Sequence, residues 1–102
     1  MVNFNPVEGH EQDGTRPALV LSRDELNRTG LCMVVPGTRT VRNRPGRVRL
    51  PRVVGGVVDD TYLLSDRLRT VSTRRFVRRL GSAEVGYIRQ VLLHVGHFLS
   101  LP

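Results

Sequence analysis

The chain has 102 residues, 39% of them hydrophobic and only 5% aromatic with no tryptophan, so residues 1–102 are expected to form one domain around a modest valine and leucine core. Its formal net charge of +7 rests on sixteen arginines and no lysine, which points to a polyanionic partner and suits the bidentate recognition of phosphate oxygens. A lone cysteine, Cys32, excludes an internal disulfide framework, and no apolar run approaches the ~18 residues of a membrane-spanning helix.

Val2-Asn3-Phe4 alternates at the strand period. Residues 9–17 then form a glycine-flanked loop that gathers His10, Glu11 and Arg16 within seven residues of one another. The loop runs into an apolar strand at residues 17–21. Charged groups on a loop with such a base are common at binding and catalytic sites. Ser22 and Glu25 fit a capping box, which predicts a helical turn through about Asn27. Asn27-Arg28-Thr29-Gly30 is turn chemistry, and residues 31–35 form a second apolar strand ended by Pro36-Gly37. Cys32 is expected there as a small core residue.

The composition changes over residues 38–51, where Arg39, Arg42, Arg44, Arg47, Arg49 and, just beyond, Arg52 recur every two to three residues. Arg47-Val48-Arg49-Leu50 alternates, with both arginines on one face and both aliphatics on the other. Gly55-Gly56 marks a turn, and residues 61–64 and 67–71 read as two further strands. Ser72 is expected to cap a short helix with Phe76, Val77 and Leu80 facing inward, Arg74, Arg75, Arg78 and Arg79 facing water, and Gly81 ending it. Ser82 then caps a longer helix whose apolar stripe is Val85, Ile88, Val91, Leu92, Val95, Phe98 and Leu99. Short strands followed by a terminal helix imply a mainly β fold, a small barrel-like sheet with that helix packed against it. No repeat and no linker interrupts the chain, and no secretory signal pattern opens it, so a soluble, cytoplasmic protein is expected.

Taken together, Asn5-Pro6, the Gly9-His10-Glu11-Gln12 loop, Arg16-Pro17-Ala18-Leu19-Val20-Leu21-Ser22, Val34-Val35-Pro36-Gly37-Thr38 and Ser65-Asp66-Arg67-Leu68-Arg69-Thr70 resemble the MazF/PemK toxin family. The likeness covers essentially the whole chain, in order. It implies the toxin of a type II toxin–antitoxin pair, a metal-independent and sequence-specific endoribonuclease. Such an enzyme cuts single-stranded mRNA by 2′-hydroxyl attack and leaves a 2′,3′-cyclic phosphate and a 5′-hydroxyl. It further implies an SH3-like barrel of about five to seven short strands, with short helices and a C-terminal amphipathic helix. The implied partners are the RNA substrate, a second copy in a homodimer, and a proteic antitoxin that covers the active groove; DNA is bound through the antitoxin complex. No cofactor and no metal is implied. Two departures stand out. Family members carry a Gly-Asp pair and further strand residues ahead of the segment matching residues 3–6, so a shortened first strand is expected here. They also commonly carry Gln after the aspartate of the last block, where this chain has Arg67.

Cutting RNA without a metal requires a base for the 2′-hydroxyl, a proton for the leaving 5′-oxygen, and donors around the phosphorane. On the matching motif positions Arg16 would hold the scissile phosphate, Thr38 would donate its hydroxyl to the same group, and Glu11 would take the proton. An acid role is also attached to the Arg16 position, although guanidinium is a poor proton donor. His10 is a further base candidate, because an imidazole titrates near neutrality. Asp66 matches an acid used by one branch of the family. Arg39, Arg42, Arg44 and Arg47 correspond to a loop flanking the substrate groove, where phosphate contacts would set the RNA register. His94 and His97 fall on the terminal helix outside any cluster. Two other readings stay open at this point: a non-catalytic toxin of the same fold that poisons a DNA topoisomerase, or an inactive truncated remnant. Retention of Glu11, Arg16 and Thr38 favours the nuclease over the former.

Overall fold

The computed structural model describes residues 1–4 and 14–101. Its strands are β1 (Val2–Asn3), β2 (Thr15–Arg16), β3 (Ala18–Val20), β4 (Leu31–Thr38), β5 (Arg47–Leu50), β6 (Thr61–Leu64) and β7 (Arg69–Ser72). Helix α1 (Asp24–Asn27) lies between β3 and β4, and α2 (Val85–Phe98) closes the order. Every pairing is antiparallel. β1 pairs with β2, and a five-stranded sheet runs β3-β4-β6-β5 with β7 also on β4. The mainly β fold with a terminal helix is as expected. The strands lie in open sheets rather than a closed barrel.

β4 organises the molecule because it is apolar on both faces. Cys32 and Val34 join Val2 and Val71 in one buried cluster, flanked by Phe4 and Ala18. Val35 turns the other way and meets Val48, Leu63, Val91 and Val95. Fully burying side chains of this kind is worth roughly 1.5–3 kcal/mol each, so Val91 and Val95 are what anchor α2 to the sheet.

β6 and β7 run along β4 as one strand with an interruption. Between the Gly37↔Leu63 and Val34↔Arg69 pairs the register slips by three residues, and these form the 3-10 turn Ser65–Arg67. The strand expected at residues 67–71 therefore begins two residues later, because the turn lifts Asp66 out of the sheet toward Arg47.

The segment after β7 departs most from its local pattern. Ser72 does accept a hydrogen bond from the Arg74 N–H, but only the 3-10 turn Thr73–Arg75 follows. Residues 76–84 then run as an irregular strap without a helix. Non-local bonds outweigh the helical pattern here: Phe76 bridges to Val2, and the Val77 N–H donates to the Met1 carbonyl at 2.8 Å. The strap also lies hard against the turn at Val54–Gly56. Gly56 has φ +84°, and a Cβ there would stand 2.1 Å from the Leu80 carbonyl oxygen. That close approach requires glycine.

Neither long-range cap is formed by the expected serine. Arg23 and Glu84 hold the N-cap positions of α1 and α2, without side-chain capping bonds. Ser22 instead donates to Asn27 Oδ1 at 2.5 Å and accepts from the Met33 N–H at 2.9 Å, tying α1 to β4. Ser82 accepts from Arg79. On α2 the core takes Tyr87, Val91 and Val95, while Val85, Leu92 and Leu93, and Leu99 just after the helix, stay exposed. The apolar stripe is thus wider than the surface the described residues offer to cover it. Among the described residues, no helix is long and apolar enough to cross a membrane.

Candidate functional site

Two strands meet at the site. The turn from β2 into β3 puts the Pro17 carbonyl opposite the end of β4, where it accepts the Gly37 N–H at 2.8 Å. Glycine is needed at 37 because a Cβ would sit 2.5 Å from Thr61 Cγ2 and 3.3 Å from the Pro17 oxygen. This contact delivers Arg16 and Thr38, far apart in sequence, to one groove of ≈ 340 Å³. Arg16 is exposed and Thr38 half-buried. Thr38 Oγ1 accepts the Thr40 N–H at 3.2 Å, which leaves its own proton free to donate into the groove.

The facing wall comes from the strap and from the turn before β6. Arg78 and Leu80 line it from the strap, Val58 and Asp59 from the turn. Arg39 lies on the rim, 3.4 Å from the Asp59 carboxylate. The Met1 amino group also borders the groove and donates to the Arg78 carbonyl at 2.8 Å. Burial first, and the cationic Arg78 second, hold that amine below its usual pKa. The groove is therefore a cationic surface with a hydroxyl donor, the arrangement that recognises phosphate.

Asp60, next to Asp59, turns away. Its carboxylate accepts the Arg52 N–H at 2.7 Å and Arg49 Nη2 at 2.9 Å. The Arg52 N–H foremost, then Arg49, lowers the Asp60 pKa below the ordinary carboxylate value, and the Arg49–Asp60 bond raises the pKa of Arg49.

Of the residues singled out by sequence, the groove brings together Arg16, Thr38 and Arg39. Glu11 and His10 lie outside the described residues. Asp66 is not in the groove; it pairs with Arg47 at 2.9 Å beyond the far end of β6. Arg47 is engaged there too, its side chain only 11% exposed. Arg42 and Arg44 sit in the exposed connection between β4 and β5. His94 and His97 pack against Phe98 on α2, with ring centroids 6.4 and 6.0 Å apart. Among the described residues, no three His, Cys, Asp or Glu side chains are grouped to hold a metal ion. Sequence reasoning did not single out Asp59, and it set Arg78 on the water-facing side of a short helix rather than in the groove. The paired glycines at 55–56 and the single Gly81 were the available signal for Arg78, since glycines at two distant turns allow backbones to touch.

Residues 1–99 match the family described as the PemK-like, MazF-like toxin of type II toxin–antitoxin systems. The chain is similar to the endoribonuclease toxin MazF of Escherichia coli strain K12, 38% identical over 74 residues. That match covers 72% of this chain and 63% of the relative, so the chain spans somewhat under two thirds of that protein's length. It is also similar to endoribonuclease MazF9 of Mycobacterium tuberculosis, 29% identical over 97 residues, covering 88% of this chain and 82% of that one. A crystal structure of MazE–MazF from Deinococcus radiodurans superposes with a TM-score of 0.85 at 36% identity, over 99% of this chain and 90% of that one. With the profile matched almost end to end, the chain belongs to the family of PemK-like, MazF-like toxins of type II toxin–antitoxin systems.

Proposed function

We propose that this chain is a sequence-specific, metal-independent endoribonuclease that cuts single-stranded mRNA as the toxin of an antitoxin pair. The observation that carries the reading is the meeting of Arg16 and Thr38 in one cationic groove. In this scheme the 2′-oxygen attacks phosphorus and the bond to the 5′-oxygen breaks. The products are a 2′,3′-cyclic phosphate and a 5′-hydroxyl. Glu11 takes the 2′-proton, with His10 as the other base candidate, and the 5′-oxygen takes its proton from solvent. Arg16 and the Thr38 hydroxyl hold the non-bridging oxygens, where charge grows in the transition state. Arg39, Arg42 and Arg44 extend the phosphate track away from the scissile bond.

The relatives named as endoribonucleases support this reading, and the Deinococcus complex of MazE with MazF supports a proteic antitoxin as partner. A second copy of the chain is the proposed cover for Leu92 and Leu93 on α2 and Leu99 just after it, which are 48%, 75% and 60% exposed. Sedimentation of the wild-type chain as a monomer at micromolar concentration would remove that part of the reading.

The deciding experiment is cleavage of a long RNA in EDTA. Fragments with 5′-hydroxyl ends are expected, and Arg16→Ala should lose roughly 10²–10³-fold in rate, the usual cost of a transition-state donor. Metal-dependent cutting, or undiminished cutting by the variant, would overturn the proposal.

A further inference from the structure

The groove that holds Arg16 and Thr38 also holds a carboxylate. Among the described residues lining it, Asp59 is the one acid. A surface serving phosphates alone gains nothing from such a group, because an ionised carboxylate only accepts hydrogen bonds and repels a phosphodiester. What it can take from single-stranded RNA is an N–H on the edge of an unpaired base.

The local structure holds Asp59 in place for that task. Thr61, itself 2% exposed, donates its hydroxyl to the Asp59 carbonyl at 3.0 Å. Its neighbour Asp60 is anchored on the opposite side by Arg49 and the Arg52 N–H. The backbone between these two fixings has little freedom, and the Asp59 side chain is left at the groove. Its ion pair with Arg39 spans 3.4 Å between side chains that are 56% and 73% exposed. A pair that long and that solvated is weak, so the carboxylate oxygens remain available to a ligand.

We propose that Asp59 is a specificity-determining residue, accepting hydrogen bonds from the Watson–Crick edge of an unpaired guanine bound beside the scissile phosphate. This rests on the nuclease reading of the same groove. Guanine is the base that fits, because its N1–H and N2–H₂ stand side by side and match two carboxylate oxygens. Adenine and cytosine present an amine without an adjacent ring N–H, and uracil presents a single ring N–H. Arg39, next to Asp59, then contacts the phosphate that flanks this base, so one adjoining pair of side chains serves base and backbone together.

The test is to map every 5′-hydroxyl end produced from a long RNA by the wild-type chain and by Asp59→Asn and Asp59→Ala. Melting curves confirm that both variants fold, and Arg39→Ala serves as a control. Wild-type sites should share a guanine at one position. In both Asp59 variants the preference there should fall roughly tenfold or more, the discrimination that one bidentate base contact supplies. Replacing that guanosine with inosine, which lacks the N2 amine, should slow the wild type but make little difference to Asp59→Asn. A uniform loss at every site with the map unchanged, mirrored by Arg39→Ala, would overturn the proposal and reduce Asp59 to a holder of Arg39. Wild-type cutting at sites that share no guanine would overturn it while leaving the nuclease reading intact. Absence of wild-type cutting would overturn both.

Discussion

Asp59 and Asp60 are chemically identical neighbours whose roles diverge through the direction of their carboxylates. Asp60 braces the turn before β6 by accepting the Arg52 N–H and pairing with Arg49. Because those contacts lower its pKa in the folded chain, its contribution to stability is fully present above the ordinary carboxylate range. It is lost as pH falls through the folded value. Asp60→Asn should therefore lower the melting temperature at pH 7, with the difference from wild type closing below about pH 4. A difference that stayed constant from pH 7 to pH 2 would contradict the bracing role. Arg47 and Asp66 make a comparable pair, 19 residues apart, with Arg47 largely covered. An alternating Arg-Val-Arg-Leu strand marks Arg47 as a side chain on the polar face; it cannot say that an aspartate waits there.

Among the elements, the strap at residues 76–84 most affects the groove, since it carries Arg78 and Leu80. It is held by the bridge to Val2, the Val77 N–H bond, and the close backbone contact at Gly56. Gly56→Ala places a Cβ against the Leu80 carbonyl at a positive φ and should cost roughly 1–3 kcal/mol. The Val77 amide should then exchange faster. Gly86→Ala is the counterpart: nothing lies within 4 Å of that Cβ, and a helical glycine replaced by alanine should gain roughly 0.5–1 kcal/mol. Thermal melts with opposite signs for the two changes would support this account; equal melts would refute it. The strands at residues 18–20, 31–35, 47–50 and 61–64 were legible because alternation and apolar runs are written into a few adjacent residues. The expected stop at Pro36-Gly37 was wrong: β4 continues through both to Thr38, because Pro36 pairs with Ala18 and Gly37 with Leu63 across the sheet. The strap was not legible, because its conformation is decided by partners at residues 1–2 and 55–56.

At the scale of the molecule, the chain carries a net charge of +7; Arg16, Arg39 and Arg78 line the groove, and Arg42 and Arg44 lie in the exposed connection that follows Arg39. On the proposed function, binding of single-stranded RNA should depend strongly on salt. Each lost phosphate contact should lower the slope of log K against log salt by about 0.7. Removing Arg42 and Arg44 together should therefore flatten the slope by about 1.4, if each touches one phosphate. An unchanged slope would mean that this connection is only a solvated loop.

By itself the sequence determined the fold class, the apolar strands, the cationic character, and the motif blocks that carry Arg16 and Thr38. These are properties of composition and of short-range spacing. Only the tertiary structure decided which charges share a groove. It joined Arg16, Thr38 and Arg39 through the contact at Gly37, brought in Arg78 and Asp59, and drew Arg47 and Asp66 away into a pair of their own. The physical reason is that ion pairs and backbone contacts form between groups distant along the chain, and their partners are set by how the sheets and the strap pack together.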